Sequence, residues 1–252
     1  MRTVRATRYV TPLREGGSLP AIIEADDERQ YVMKFRGAGQ GPKALIAELI
    51  ASSLARHLGF SSPEPVTVEL DASLGRNERD PEIRELLLAS EGLNAGFDYL
   101  AGALNFDPVA GQSLDPQLAS DIVWFDAFIM NVDRTVKNPN LLWWRGSLWL
   151  IDHGASLYFQ HDWASATERA ASPFAPIKAH VLLPRATAAG LDAAHARLLP
   201  KLDAACFQRA VDVVPEAWVG AERSHYTAWL HARVTSAPVF LEEAKRARAA
   251  LL

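Results

Sequence analysis

Along the first third of the chain, apolar and polar residues alternate in short runs. "TVRATRYV" (3–10), "PAIIEA" (20–25) and "QYVMKF" (30–35) have the composition and the approximate period of two expected of strands. Asp26-Asp27-Glu28-Arg29 predicts a hairpin turn between the last two, and Glu15-Gly16-Gly17-Ser18 a flexible turn between the first two. The period then lengthens. Leu45, Ile46, Leu49, Ile50 and Leu54 recur at helical spacing, Pro42 suits the first turn of that helix, and Gly59 suits the position just past its end. "EPVTVEL" (64–70) predicts a strand, "PEIRELLLAS" (81–90) a short helix, and "AGFDYL" (95–100) a strand running into Ala101-Gly102. From about residue 115 the pattern turns mainly helical, beginning with "PQLASDIVWFDAFIMN" (116–131). Two apolar strands interrupt it, "NLLWW" (140–144) and "LWLI" (148–151), joined at Arg145-Gly146-Ser147. Residues 186–252 are Ala-rich and mostly helical. The pattern therefore predicts an α+β fold: a β-rich N-terminal lobe with one long helix, then a mainly helical C-terminal lobe, with the seam between residues 100 and 116.

Bulk composition narrows the function classes. The 252 residues are 49% hydrophobic and 22% charged, ordinary for a globular chain with a substantial core. A net charge of -4 argues against a broad nucleic-acid footprint, which wants a basic face. The single cysteine, Cys206, cannot form an internal disulfide. The N-terminus lacks the apolar core of a signal peptide, and no apolar run reaches the length of a membrane span. The expectation is a cytoplasmic protein with no membrane or nucleic-acid partner.

Candidate chemistry enters through charges placed where apolar residues belong. Lys34 interrupts the strand "YVMKF", and Glu48 sits on the apolar face of the next helix. Charges in such places are costly unless paired, so a strand–helix ion pair is expected, the arrangement by which kinases hold ATP phosphates. Further on, Asp133 and Asn138 have the five-residue offset of a kinase catalytic loop, and Asp152-His153-Gly154 follows the hairpin as a metal-binding Asp-x-Gly would. Asp133 would accept the proton of an attacking hydroxyl, while Asn138 and Asp152 offer the oxygens that Mg²⁺ prefers. Alone, Asp133 reads as a loop cap, Asp152 as a turn and Lys34 as a solvent-facing strand lysine; the five elements in this order read as a phosphotransferase. Other motifs carry less. Gly37-Ala38-Gly39-Gln40-Gly41 has the wrong spacing for a dinucleotide fingerprint and no following Gly-Lys-Ser/Thr, which leaves a strand-to-helix connection. The histidines lack metal-ligand spacing. Trp143, Trp144 and Trp149, in strand runs, read as core rather than as a stacking platform for bases.

The segments "YVMKFRGAGQGPKALIAELIASSLARHLG", "NVDRTVKNPNLLWW" and "LWLIDHGASLYF" resemble the HipA-like kinase family, in particular its short bacterial stand-alone members. The Asp-Arg-Thr and Asp-His-Gly forms are also similar to the phosphatidylinositol 3- and 4-kinase branch. The resemblance implies a single two-lobed, protein-kinase-like domain over 1–252, with the N-lobe at 1–102, the C-lobe at 103–252, and ATP with Mg²⁺ in the cleft. It implies that Lys34 holds the phosphates with Glu48 as orienting partner, that Asp133 is the catalytic base, and that Asn138 and Asp152 bind metal. Gly16, Gly17 and Ser18 would lie over the phosphates, and Phe97, Asp98, Tyr99 and Leu100 would border the adenine. The toxin members of the family are larger and carry additional N-terminal sequence that engages a DNA-binding antitoxin. This chain has no room for that region, so an antitoxin partner and toxin activity are not expected. The expected acceptor is a hydroxyl of a protein or a small molecule. Transfer of AMP by the same residues, and a nucleotide-gated pseudokinase, stand as alternatives.

Overall fold

The computed structural model describes residues 1–13, 19–39, 41–76, 78–109 and 113–251. Gly16, Gly17 and Ser18, expected above the phosphates, lie outside the described residues. In chain order the N-lobe runs β1 (Thr3–Pro12), β2 (Ala21–Ala25), β3 (Gln30–Lys34), α1 (Pro42–Leu58), β4 (Pro65–Leu70), α2 (Ser73–Arg76), α3 (Pro81–Ala89) and β5 (Gly92–Asp98). The strands close into a barrel in the order β1-β2-β3-β5-β4, shut by parallel pairing of β1 with β4. Alternation along β3 decides what faces where. Tyr31 and Met33 are fully buried in the barrel interior with Ile23, Val66 and Val68. Lys34, next along, points out of the barrel, and its register partner Ala95 belongs to the core that α1 covers. The barrel is too narrow for a side chain at residue 96: a Cβ on Gly96 would come within 2.5 Å of a Val68 methyl.

Helix α1 is buried nearly all round rather than along one stripe, because the barrel covers one side and C-lobe helices the other. Its small residues Ala47, Ala51, Ser52 and Ala55 permit the close approach. It ends as the sequence predicts, with Gly59 left-handed at φ 95° and its N–H returned to the last turn.

The C-lobe follows with β6 (Leu104–Asn105), α4 (Pro116–Ile129), β7 (Leu141–Trp144), β8 (Ser147–Leu150), α5 (Ala166–Ala170), α6 (Ala188–Leu198), α7 (Ala204–Asp212), α8 (Glu216–Val219), α9 (Arg223–Thr235) and α10 (Ala237–Ala249). Strands β6, β7 and β8 form a small sheet over the helices. Residues 158–185, which carry no readable periodicity, fold as a series of 3₁₀ turns around α5. The strand expected over 95–100 begins three residues earlier and stops at Asp98, so Tyr99 and Leu100 belong to the interlobe connection. Among the described residues no helix is long and apolar enough to cross a membrane.

The tryptophan expectation is corrected in part. Consecutive strand residues point to opposite faces, so Trp143 and Trp144 cannot both be core. Trp143 packs on the C-lobe core. Trp144 and Trp149 stand on the other face, edge to face at 5.0 Å, with the Trp144 indole N–H donating to the Ala101 carbonyl at 2.9 Å.

Candidate active site

Five residues singled out from the sequence form two directly bonded groups. Lys34 Nζ donates to Glu48 Oε2 at 2.7 Å and to Asp152 Oδ1 at 2.6 Å. Strand β3 delivers the lysine, α1 the glutamate, and the segment after β8 the aspartate. Glu48 is also fixed from the C-lobe, because the His153 backbone N–H donates to its Oε1 at 3.0 Å. In the second group, Asn138 Nδ2 donates to Asp133 Oδ2 at 2.6 Å, and Asn140 Nδ2 donates to the same oxygen at 3.3 Å. Both sit in the loop between α4 and β7.

The backbone at these positions is unusual in a way that serves the placement. Met130, which ends α4, is left-handed at φ 56°, as are Asn140 at φ 50° and Asp152 at φ 52°. Asn and Asp tolerate this region better than most residues because their short side chains bond locally. Asn140 and Asp152 flank the β7–β8 ladder, whose end is extended by the Ile151 N–H donating to the Asn140 carbonyl at 3.1 Å. The hairpin thus carries the loop of Asp133 and the loop of Asp152 to one end of the small sheet. Space at Gly154 is tight: a Cβ there would come within 3.1 Å of Glu48 Oε2.

Electrostatics follow from these contacts. Burial works against the Lys34 ammonium, but the carboxylates of Asp152 and Glu48 outweigh it and hold its pKa above the ordinary lysine value. The Lys34 charge holds Asp152 below the usual carboxylate range. Burial pushes the Asp133 carboxyl up, opposed by the amide bonds of Asn140 and Asn138 and reinforced by the charge of Asp152. A carboxylate shifted this way is a better proton acceptor than one in water.

Beneath the two groups lies a buried network that sequence reasoning missed. Arg134, 1% exposed, donates from Nε to Asp126 Oδ2 at 2.5 Å, from Nη2 to His153 Nδ1 at 3.2 Å, and from Nη1 to the carbonyls of Asn140 and Ile151. His180 Nε2 donates to Asp126 Oδ2 at 2.9 Å, while its Nδ1 accepts the Leu182 N–H, which fixes the tautomer. Asn131 Nδ2 donates to Asp126 Oδ1 at 3.1 Å and its Oδ1 accepts the Asp133 N–H. One signal was available: Asp126 interrupts the apolar run "DIVWFDAFIM", and a charge in such a run needs a partner. Nothing in the spacing pointed to His180.

The residues expected near the adenine are placed less directly. The Phe97 ring centroid lies 5.9 Å from Lys34 Nζ. Asp98, Tyr99 and Leu100 line a hollow of about 610 Å³ together with Trp144, Trp149 and residues of the β2–β3 turn. Lys34, Glu48, Asp133, Asn138 and Asp152 do not line that hollow.

Comparison with known proteins bears on the family and the fold. A family model described as HipA-like kinase matches residues 7–245. The chain belongs to the HipA-like kinase family. It is thus a kinase by family, and its two-lobed fold recurs in solved kinase structures. One is a proinflammatory kinase, CtkA, from Helicobacter pylori, 13% identical, with a TM-score of 0.58 over 99% of this chain and all of the other. Another is the Golgi casein kinase, 12% identical, with a TM-score of 0.51 over 96% of this chain and 73% of the other. At such identities these two likenesses concern the fold. No curated protein matches the chain.

Proposed function

We propose that this HipA-like kinase transfers the γ-phosphoryl group of ATP to a hydroxyl of a protein or small molecule, with Mg²⁺ as cofactor. The observation that carries the reading is the Lys34 ammonium held between Glu48 and Asp152, beside Asp133 in its cradle of amides. Lys34, kept charged, binds phosphate oxygens and is oriented by Glu48. Asp133, with one oxygen held by Asn138 and Asn140, accepts the acceptor's proton through the other.

The residues fit a hard divalent cation. Asn138 turns its N–H₂ to Asp133, which leaves its carbonyl oxygen facing away, and the Asp152 side chain is 42% exposed. One carboxylate and one carbonyl, completed by phosphate oxygens and water, is a donor set that Mg²⁺ accepts. Bound there, the ion would supply charge stabilisation to the transferring phosphoryl group. Catalysis by the protein itself is positioning and electrostatics. Asp98, Tyr99 and Leu100 beside the hollow are assigned to the adenine side on the strength of the resemblance.

The test is label transfer from γ-labelled ATP with Mg²⁺ to candidate proteins and metabolites, with α-labelled ATP in parallel. γ-Label on an acceptor supports the reading; α-label alone would replace it with nucleotidyl transfer. Asp133→Asn is expected to keep Mg-ATP affinity, by calorimetry, and to cut turnover by roughly a hundredfold or more. Asp152→Asn is expected to weaken Mg-dependent nucleotide binding as well. Parental turnover in both variants would sink the assignment.

A further inference from the structure

Among the described residues, one side chain bonds to both loops of the proposed site, and it makes no hydrogen bond to the side chain of Asp133 or Asp152. Arg134 Nη1 reaches the carbonyls of Asn140 and Ile151, on either side of the ladder's end, and Nη2 reaches His153. Asn140 belongs to the loop of Asp133 and Asn138; Ile151 and His153 bracket Asp152. The guanidinium therefore sits in the fork where β7 and β8 diverge, bonding both arms. Its Nε–H goes to Asp126, which is fully buried on α4. The same α4 ends at Ile129, just before the loop begins.

We propose that Arg134 is a positioning residue for phosphoryl transfer, a rigid spacer that sets the separation of the Asp133 loop from the Asp152 loop. The proposal rests on the assignment of those two residues above. The chemistry favours arginine for this task. A guanidinium offers five N–H groups in one plane with fixed angles, whereas an ammonium offers three on a swivelling stem. Four acceptors on three segments are served by one plane, so the segments share its geometry. The two carbonyls belong to a ladder end where Asn140 and Asp152 are left-handed. The Asn140 carbonyl takes the last ladder bond, from the Ile151 N–H, and the arginine adds a donor to it and one to the Ile151 carbonyl beyond. Asp126 holds the guanidinium from below and is itself held by His180 and Asn131, so the spacer, whose backbone belongs to the Asp133 loop, has its guanidinium end anchored on the helix.

The test uses Arg134→Lys, which keeps the buried charge and loses the fork, and Asp126→Asn, which keeps the fork and loosens its anchor. The probes are ATP hydrolysis, Mg²⁺-dependent ADP binding by calorimetry, and hydrogen exchange of the nucleotide-free chain, each normalised to folded protein. For Arg134→Lys we expect kcat at least tenfold lower. Nucleotide affinity without Mg²⁺ should stay unchanged while the affinity gained on adding Mg²⁺ falls several-fold, and exchange should be faster in 138–154 but not in the barrel strands. Asp126→Asn should move the same readouts in the same direction by less. A purely structural role would lower the melting temperature yet leave kcat and the Mg²⁺-linked gain per folded molecule at parental values, and that result in either variant overturns the proposal. Asp133→Asn is run alongside. If it too hydrolyses ATP like the parent, the underlying assignment fails; if it is inactive while Arg134→Lys is parental, only the spacer role falls.

Discussion

At the scale of single residues, the site is a set of charges held in place by unlike partners. Asp126 shows the cost and its compensation. Burial would push this carboxyl up, but Arg134 and the His180 N–H overcome that and hold it well below the usual carboxylate range. Burial lowers the His180 pKa, and its Nδ1 accepts the Leu182 N–H; His153 on the far side of the guanidinium is pushed down to about 3 by burial and by Arg134. A carboxylate depressed in the folded state binds fewer protons there than when unfolded. Its stabilising contribution is fully present above the unfolded value of about 3.9 and is lost as pH falls through the folded one. Asp126→Asn leaves the buried Arg134 charge without its counter-ion, so stability at pH 7 should fall by roughly 3–5 kcal/mol. The gap from the parent should narrow below about pH 4. Denaturant unfolding of both proteins across pH measures this; a gap that stays constant down to pH 2 contradicts the ion-pair account.

At the scale of elements, three joints deliver the chemistry. Helix α1 brings Glu48 to β3, the β7–β8 hairpin brings two loops together, and α4 launches the loop of Asp133. The last joint is reinforced by Arg233 of α9, fully buried, whose guanidinium donates to the carbonyls of Ala127 and Phe128 at the end of α4, of Ala170 at the end of α5 and of Ser172 just after it. Those helix-end carbonyls have no partner within α4, so the arginine stands in for a further helical turn. Among the described residues no carboxylate pairs with it, and burial lowers its pKa to about 9. The α1 joint yields a direct prediction at Gly154, which is not in the left-handed region and is constrained by space alone. Gly154→Ala should push the Glu48 carboxylate off Lys34. Turnover should drop by about tenfold, within the range that a sub-ångström misplacement produces, while the melting temperature changes little. ATP hydrolysis and thermal unfolding check this together, and parental turnover would show that Glu48 accommodates the methyl.

At the scale of the whole molecule, the barrel and the helical lobe meet through α1 and through the ion pairs of Lys34. A ligand seated on Lys34 and Asp152 contacts both lobes and binds only the folded chain. ATP with Mg²⁺ at a hundredfold excess over its dissociation constant should add about 2.7 kcal/mol of apparent stability. The expected observation is a raised melting temperature that depends on nucleotide concentration and is larger with Mg²⁺ than without. Millimolar ATP, ADP and GTP all failing to shift it, with Mg²⁺ or Mn²⁺, would count against a nucleotide site in the cleft.

Read as a string, the sequence determined most of the elements and the order of the candidate site residues, because these depend on neighbours close along the chain. The period of two in "QYVMKF", the helical spacing from Leu45 to Leu54, the stop at Gly59 and the offset from Asp133 to Asn138 are all local. A charge in an apolar run was equally legible at Lys34 and Glu48, since burial makes an unpaired charge costly whatever the fold. Tertiary structure decided what depends on distant partners. Asp152 reaches Lys34 across 118 residues, and His180 reaches Asp126 across 54. The face each tryptophan takes follows from how the hairpin lies between the lobes. Arg134 stands next to Asp133 in the chain and reads there as an ordinary polar loop residue. Its role as the plane between two loops exists only once Asn140, Ile151, His153 and Asp126 converge on it, because hydrogen-bond direction is a property of space and leaves no period in the sequence.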